Sequence, residues 1–346
     1  MSNKEIINFA SENYAGVQSD IMKALAKVNK GSVRSYGNDD YTADAISKLK
    51  EVFGADIDVY FTFNGTGANN FGLASVTQRY NSIFCAEVAH LQVDESTAPE
   101  TFTGCRIYPV ASKSGKIIPS ELKKAIKRAG DIHHPQPKVV SITQPTEYGT
   151  VYSIAELKEI KAICTENNML LHADGARYFN AAVALNASLK QMTTDVGIDI
   201  LTLGGTKAGM MFGEAVIFFY PNPDHRHKYN HKRSMQLASK NRFIAAQYTA
   251  ILQNDLWKNL AAYTNNLAKE FEKRVASIEA VKIVHPVETN AVFLKMSRAL
   301  HEKLKQHAHF YYWNEEKEEV RLVFSFDNRL EEIESFIGLL KQYTIE

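Results

Sequence analysis

Asp174 and Lys207 are the residues whose surroundings most directly suggest chemistry. Each closes a short apolar run: Leu170-Leu-His-Ala-Asp174-Gly-Ala-Arg177 and Ile198-Asp-Ile-Leu-Thr-Leu-Gly-Gly-Thr-Lys207-Ala-Gly. Apolar runs bounded by Gly or Asp read as buried strands feeding loops, and open α/β sheets build their sites at such strand ends. A carboxylate and an amine emerging side by side suit pyridoxal 5'-phosphate. The amine forms a Schiff base with its aldehyde, and the acid keeps the pyridine nitrogen protonated so that the ring withdraws electrons. The small residues Gly204, Gly205, Thr206, Ala208 and Gly209 around Lys207 would let a flat cofactor approach the backbone. On spacing alone the simpler reading is a helix-capping Asp174 and a solvated loop lysine.

Further residues could complete such a site. Gly65-Thr-Gly-Ala-Asn69 lies between a strand and a helix, where backbone N–H groups and the Thr66 hydroxyl make a phosphate cradle; strand-to-helix turns also need glycine for geometry alone. His90 follows Cys-Ala-Glu87 and suits ring stacking or general-base work, or a packed loop. Arg177 and Arg321 suit a planar carboxylate gripped by two parallel hydrogen bonds. His225, His227 and His231 do not together share a helix face, and no acid or cysteine pattern joins them. They read as a basic surface near a phosphate, such as that of a neighbouring subunit, and no metal is expected.

The elements that must hold these residues alternate. Helices are expected around Ile21, Leu25 and Val28, with Gly31 as the C-cap, and around Ile46, Leu49 and Phe53, closing at Gly54. Residues 1 to 16 read as extended. Strands at 59–63, 82–86, 106–110 and 138–143 precede the two of the opening stretch, with a glycine-rich turn at 64–70 and a helix at 71–79. Pro119 starts one helix, and Ser153 with Glu156 forms a capping box for another. This succession predicts an α/β fold with a mostly parallel sheet covered by helices. From 255 to 346, short strands, a hairpin with the charged run 315–319 at its tip and a closing amphipathic helix predict a smaller C-terminal α+β domain. The large α/β domain, with its N-terminal segment, takes 1–254.

A chain of 346 residues suggests about two domains. With 45% hydrophobic and 23% charged residues and 40 basic against 39 acidic side chains, nothing favours nucleic acid or a membrane surface. Cys85, Cys105 and Cys164 form no C-x-x-C and point to free thiols in a reducing compartment. The first residues lack a signal-peptide core, and the run Ala215 to Tyr220 is too short to span a bilayer. Cytoplasmic is the expected location.

Taken together, His172-Ala-Asp-Gly-Ala-Arg177 with Asn180-Ala181, Gly204-Gly-Thr-Lys207, Phe63-Asn-Gly-Thr-Gly-Ala-Asn69 and Glu87-Val-Ala-His90 resemble the threonine aldolase family of fold-type-I pyridoxal-phosphate enzymes. Phe9-Ala-Ser-Glu-Asn-Tyr14 and Thr146-Glu147 resemble its bacterial low-specificity branch in particular. The resemblance spans essentially the whole chain and implies a fold-type-I PLP-dependent transferase-like architecture. It implies Lys207 as the Schiff-base lysine, Asp174 at the pyridine nitrogen, His90 on the ring, and Gly65 and Thr66 on the phosphate, with Arg242 reaching it from a neighbouring subunit. Ser11, Arg177 and Arg321 would bind the amino-acid carboxylate, with Tyr36 near the site. The implied reaction is retro-aldol cleavage of a β-hydroxy-α-amino acid, in a homodimer or homotetramer with shared active sites. The family's other branch has Arg-Ser-Asp where this chain has Ala10-Ser-Glu12, and a histidine where this chain has Glu147. The base for the substrate hydroxyl is therefore open among His90, Glu147 and an ordered water. A β-eliminating lyase or aminotransferase on the same scaffold is the nearest alternative; a silent cofactor-binding or interaction protein is the alternative from another class.

Overall fold

Strand and helix alternate from residue 58 onward in the computed structural model, which describes residues 6–220 and 226–345. Seven strands form one sheet, in the order Asp58–Thr62, Glu214–Phe218, Ile200–Gly204, Leu170–Gly175, Gln136–Thr143, Asn81–Ala86, Arg106–Val110. Glu214–Phe218 runs antiparallel to both its neighbours, and the other pairs are parallel. Every residue of Asn81–Ala86, Ile200–Gly204 and Glu214–Phe218 is buried, as a sheet covered on both faces requires. Register sets Thr143, Asp174 and Thr202 in one row across three adjacent strands. The chain then leaves Ile200–Gly204 at the same sheet edge and reaches Lys207 three residues later.

A second, antiparallel sheet has the order Val281–Ile283, Ala291–Met296, Glu319–Val323, Tyr311–Asn314. Helices Leu256–Val275 and Leu330–Ile345 help enclose its own apolar core, which includes Phe271, Leu294, Leu322 and Phe336. The N-terminal strand Ile7–Asn8 pairs with Ala308–His309, and Phe9 enters this second core against Phe324 and Phe336. Ser11 and Glu12, the next residues but one, are thereby carried to the boundary of the two cores. Among the described residues no helix is long and apolar enough to cross a membrane.

Four local expectations are corrected. The stretch 64–70 is not a turn: Asn64 caps a helix at Gly65–Ala74, its side chain accepting the Gly67 N–H at 2.8 Å. The cap offsets the poor helix propensity of the two glycines, and the helix stops well before Arg79. The first helix, Ser19–Val28, is capped by Asn29 rather than Gly31. His227 and His231 are not a basic surface. They lie four apart on the helix Arg226–Arg233 and are buried against Tyr60, Phe71 and Phe218. Burial lowers both rings, His227 to about 4. His225 and residues 1–5 of the expected extended segment lie outside the described residues.

Candidate active site

Asp174 and Lys207 open into one cleft of about 630 Å³ between the two cores, with Ser11, Gly65, Thr66, His90, Glu147, Arg177 and Arg321 also in its lining. Nine of the eleven residues singled out from the sequence thus meet in one place. Tyr36 and Arg242 do not line it within this chain. Tyr36 is exposed beneath the Lys232 ammonium, and Arg242 bonds the carbonyls of Lys30 and Gly31.

Lys207 sits in the turn Thr206–Ala208, fixed from below by Glu214, whose Oε2 accepts the Gly205 N–H at 2.7 Å. The glycines before it are required by chain packing rather than by a ligand. A Cβ on Gly204 would come within 2.3 Å of the Ala176 carbonyl oxygen, and one on Gly205 within 2.5 Å of that of Gly213. The Arg177 charge, then burial, holds the Lys207 amine below the ordinary lysine range, which favours the nucleophilic form. Asp174 is buried; its Oδ1 accepts the Ala176 N–H at 3.1 Å and its Oδ2 an Asn69 N–H at 2.8 Å. Behind it, His172 is fully buried between Ser141 and Thr202, and burial brings it down to about 4, so this ring is neutral.

At the helix start Gly65–Ala74, the first intrahelical bond runs from the Ala68 N–H to the Asn64 carbonyl, so the N–H groups of Gly65 and Thr66 have no acceptor within the helix. A Cβ on Gly65 would project into open space, so the ground above this helix end is free. A lysine amine, a buried carboxylate and a helix N-terminus on one cleft are the three contacts that an aldehyde, a pyridine nitrogen and a phosphate need. The donor set fits pyridoxal 5'-phosphate.

Sequence reasoning missed three residues here. Glu12, noted only as an acidic position, is buried and holds Arg177 by two hydrogen bonds, to Nε at 2.5 Å and to Nη2 at 2.8 Å. Asn290 donates a further hydrogen bond to Glu12 Oε1 at 2.8 Å. Burial alone would raise the Glu12 carboxyl, but Arg177, with Lys207 and Asn290, brings it down to about 2. The fork of Arg177 is therefore partly engaged before any substrate arrives. Arg321 is differently held: its guanidinium lies over the rings of Tyr311 and Trp313 and bonds the Tyr311 hydroxyl, while its Nε has no partner among the described residues. Asn69 and Glu95, the other two, lie beside Asp174 and His90. Glu147 accepts the His90 backbone N–H at 2.9 Å through Oε1, and its Oε2 is buried without a partner among the described residues. Burial pushes its carboxyl up to about 7.

Residues 8–299 match the sequence model of the family described as beta-eliminating lyase. The chain is 39% identical over 326 residues to a low-specificity L-threonine aldolase of Pseudomonas aeruginosa, covering 94% of each. It is 42% identical over 298 residues to a protein of the same name from another Pseudomonas strain, covering 86% of each. A threonine aldolase structure from Leishmania major superimposes with a TM-score of 0.90 at 25% identity, covering 97% of this chain and 99% of that one.

Proposed function

Because the chain belongs to the beta-eliminating lyase family and keeps company there with low-specificity L-threonine aldolases, we propose that it is a carbon–carbon lyase cleaving L-threonine, L-allo-threonine and related β-hydroxy-α-amino acids to glycine and an aldehyde. The observation that carries this reading is the entry of Lys207, Asp174 and the Gly65–Ala74 helix end into a single cleft. Lys207 would hold the aldehyde of pyridoxal 5'-phosphate, Asp174 its ring nitrogen, Gly65 and Thr66 its phosphate, and His90 would lie against the ring. When bound, that cofactor supplies a sink for the electrons of the broken Cα–Cβ bond.

The chain's own residues then orient the substrate and move its proton. Arg321, helped by Ser11 and the free hydrogens of Arg177, grips the carboxylate, which decides which bond at Cα is aligned for cleavage. Glu147 is the base for the β-hydroxyl: it lines the cleft, and its raised carboxyl suits proton transfer near neutrality. Glu95 supports His90 in the charged form, which makes that ring the poorer acceptor. Since the ionised carboxylate is the active form, kcat/KM is expected to fall as pH drops below about 7. Glu147→Gln should lose that limb together with about 10²-fold in rate. An unchanged acid limb in this variant would hand the role to another group.

The reaction itself is tested by supplying L-threonine and L-allo-threonine and measuring products. Glycine with acetaldehyde is the expected result; a keto acid, with ammonia or with amino transfer, would instead indicate β-elimination or an aminotransferase. A homodimer or homotetramer with shared sites is part of the proposal. It is supported by an open apolar hollow lined by Met22, Leu25, Phe63, Met211, Phe212 and Phe243, adjoining Arg242 and the loop that carries Tyr36. The three buried free cysteines support a reducing, cytoplasmic setting.

A further inference from the structure

Glu95 is buried beside the cleft, and above it enters only through its effect on the charge of His90. Its Oε1 stands 2.9 Å from His90 Nδ1 and accepts an N–H of Asn69 at 3.0 Å. The same Asn69 nitrogen also donates to Asp174 Oδ2 at 2.8 Å. An amide nitrogen has two hydrogens and accepts nothing, so Asn69 spends both of them on the two acids and keeps two neighbouring negative charges apart. The Oε2 of Glu95 has no partner among the described residues, which leaves Oε1 carrying all its hydrogen bonds there. His90, Glu95, Asn69 and Asp174 therefore form one hydrogen-bonded chain. Its ends are the imidazole and the carboxylate assigned to the face and the nitrogen of the cofactor ring.

From this geometry we propose that Glu95 is a positioning residue: it accepts the Nδ1–H of His90, so fixing the tautomer and ring orientation that offer Nε2 to the cleft, and Asn69 holds it in register with Asp174. This rests on the assignment of His90 to the ring face. A carboxylate that already accepts an amide hydrogen draws the imidazole proton to the nitrogen nearest it. The main chain at His90 is held as well, its backbone N–H donating to Glu147. The charged groups facing His90 are Glu95 from the following turn, Asp174 from the strand Leu170–Gly175, Lys207 from its own turn and Glu147 from the opposite loop. Glu95 is the first of these in effect, and it holds His90 above the ordinary histidine range.

The test is nitrogen NMR of the protein as purified, labelled with 15N-histidine, with the His90 signal identified by its loss in His90→Asn. The neutral wild-type ring is expected to carry its proton on Nδ1. In Glu95→Gln the ring should titrate at least about one pH unit lower, and Glu95→Asp, which keeps the charge, should restore most of that shift. Glu95→Gln should also lose about 10- to 100-fold in kcat through misplacement of His90, with the borohydride-removable absorbance retained. A proton on Nε2 in the wild-type neutral ring, or an unmoved His90 titration in Glu95→Gln, overturns the proposal. The tautomer is read on the wild-type chain, so the test stands even where a variant fails to fold. A wild-type protein lacking the chromophore would refute the cofactor assignment while leaving the tautomer result intact, so the two failures are distinguishable.

Discussion

Replacing Lys207 by alanine is expected to lower aldehyde release from L-threonine by about 10³-fold or more, the scale of loss when a group that bonds covalently is removed. The side chain is the amine of the cleft and stands close enough to Arg177 for that charge to depress its proton affinity. Among the described residues its Nζ makes no hydrogen bond, and the turn that carries it is held by backbone contacts: Gly205 N–H on Glu214, and Gly213 N–H on the Thr206 hydroxyl at 3.1 Å. Alanine therefore removes no structural partner, and the melting temperature should stay near that of the wild type. The variant should also lack any absorbance that borohydride removes. A folded Lys207→Ala protein turning over at near-normal rate would end the lyase assignment. So would an intact borohydride-sensitive chromophore, since the amine would then lie elsewhere.

Asp174 and Lys207 could be read from the sequence because a buried parallel strand writes its end plainly: an apolar run, then small residues, then one charge. The pattern marks both strands but not their register, and the register is what sets Thr143, Asp174 and Thr202 level. Boundaries were less legible where side-chain chemistry competes with propensity. Glycine at 65 and 67 argues for a turn, whereas the Asn64 side chain supplies the missing acceptor and starts a helix. The four-residue spacing of His227 and His231 is visible in the sequence, but their burial depends on Tyr60 and Phe71, which lie far away along the chain. Asn69 had a local signal: with Asn70 it is a polar pair inside an apolar stretch, and a buried amide needs partners. Glu12 and Glu95 had no equivalent. Glu12 meets Arg177, 165 residues away in sequence, only because Phe9 anchors the N-terminal segment in the second core. A contact made by two cores closing on each other leaves no periodicity in either segment.

That same contact gives the largest stability effect expected of any single substitution at the cleft. Glu12→Gln keeps the size of the side chain but leaves the Arg177 guanidinium, largely buried, without its counter-charge. Breaking a buried pair from one side costs about 3–5 kcal/mol. The carboxyl gives a consistent figure: it lies at about 2 in the fold against 4.5 for a free glutamate, a difference worth about 3 kcal/mol. Because the folded value is the lower one, this stability is present above pH about 4.5 and drains away as pH falls through that value towards 2. Urea unfolding at fixed protein concentration should thus show the wild type losing stability over that window. Glu12→Gln should begin about 3 kcal/mol lower at pH 7 and lack this part of the acid dependence. Activity should follow the geometry, since Glu12 aims the hydrogens that Arg177 retains for a substrate carboxylate; KM for L-threonine should rise more than kcat falls. Equal unfolding midpoints for the two proteins at pH 7 would mean that Arg177 finds another acceptor or takes up water when Glu12 is neutral, and that the ion pair is not what closes the two cores over the cleft.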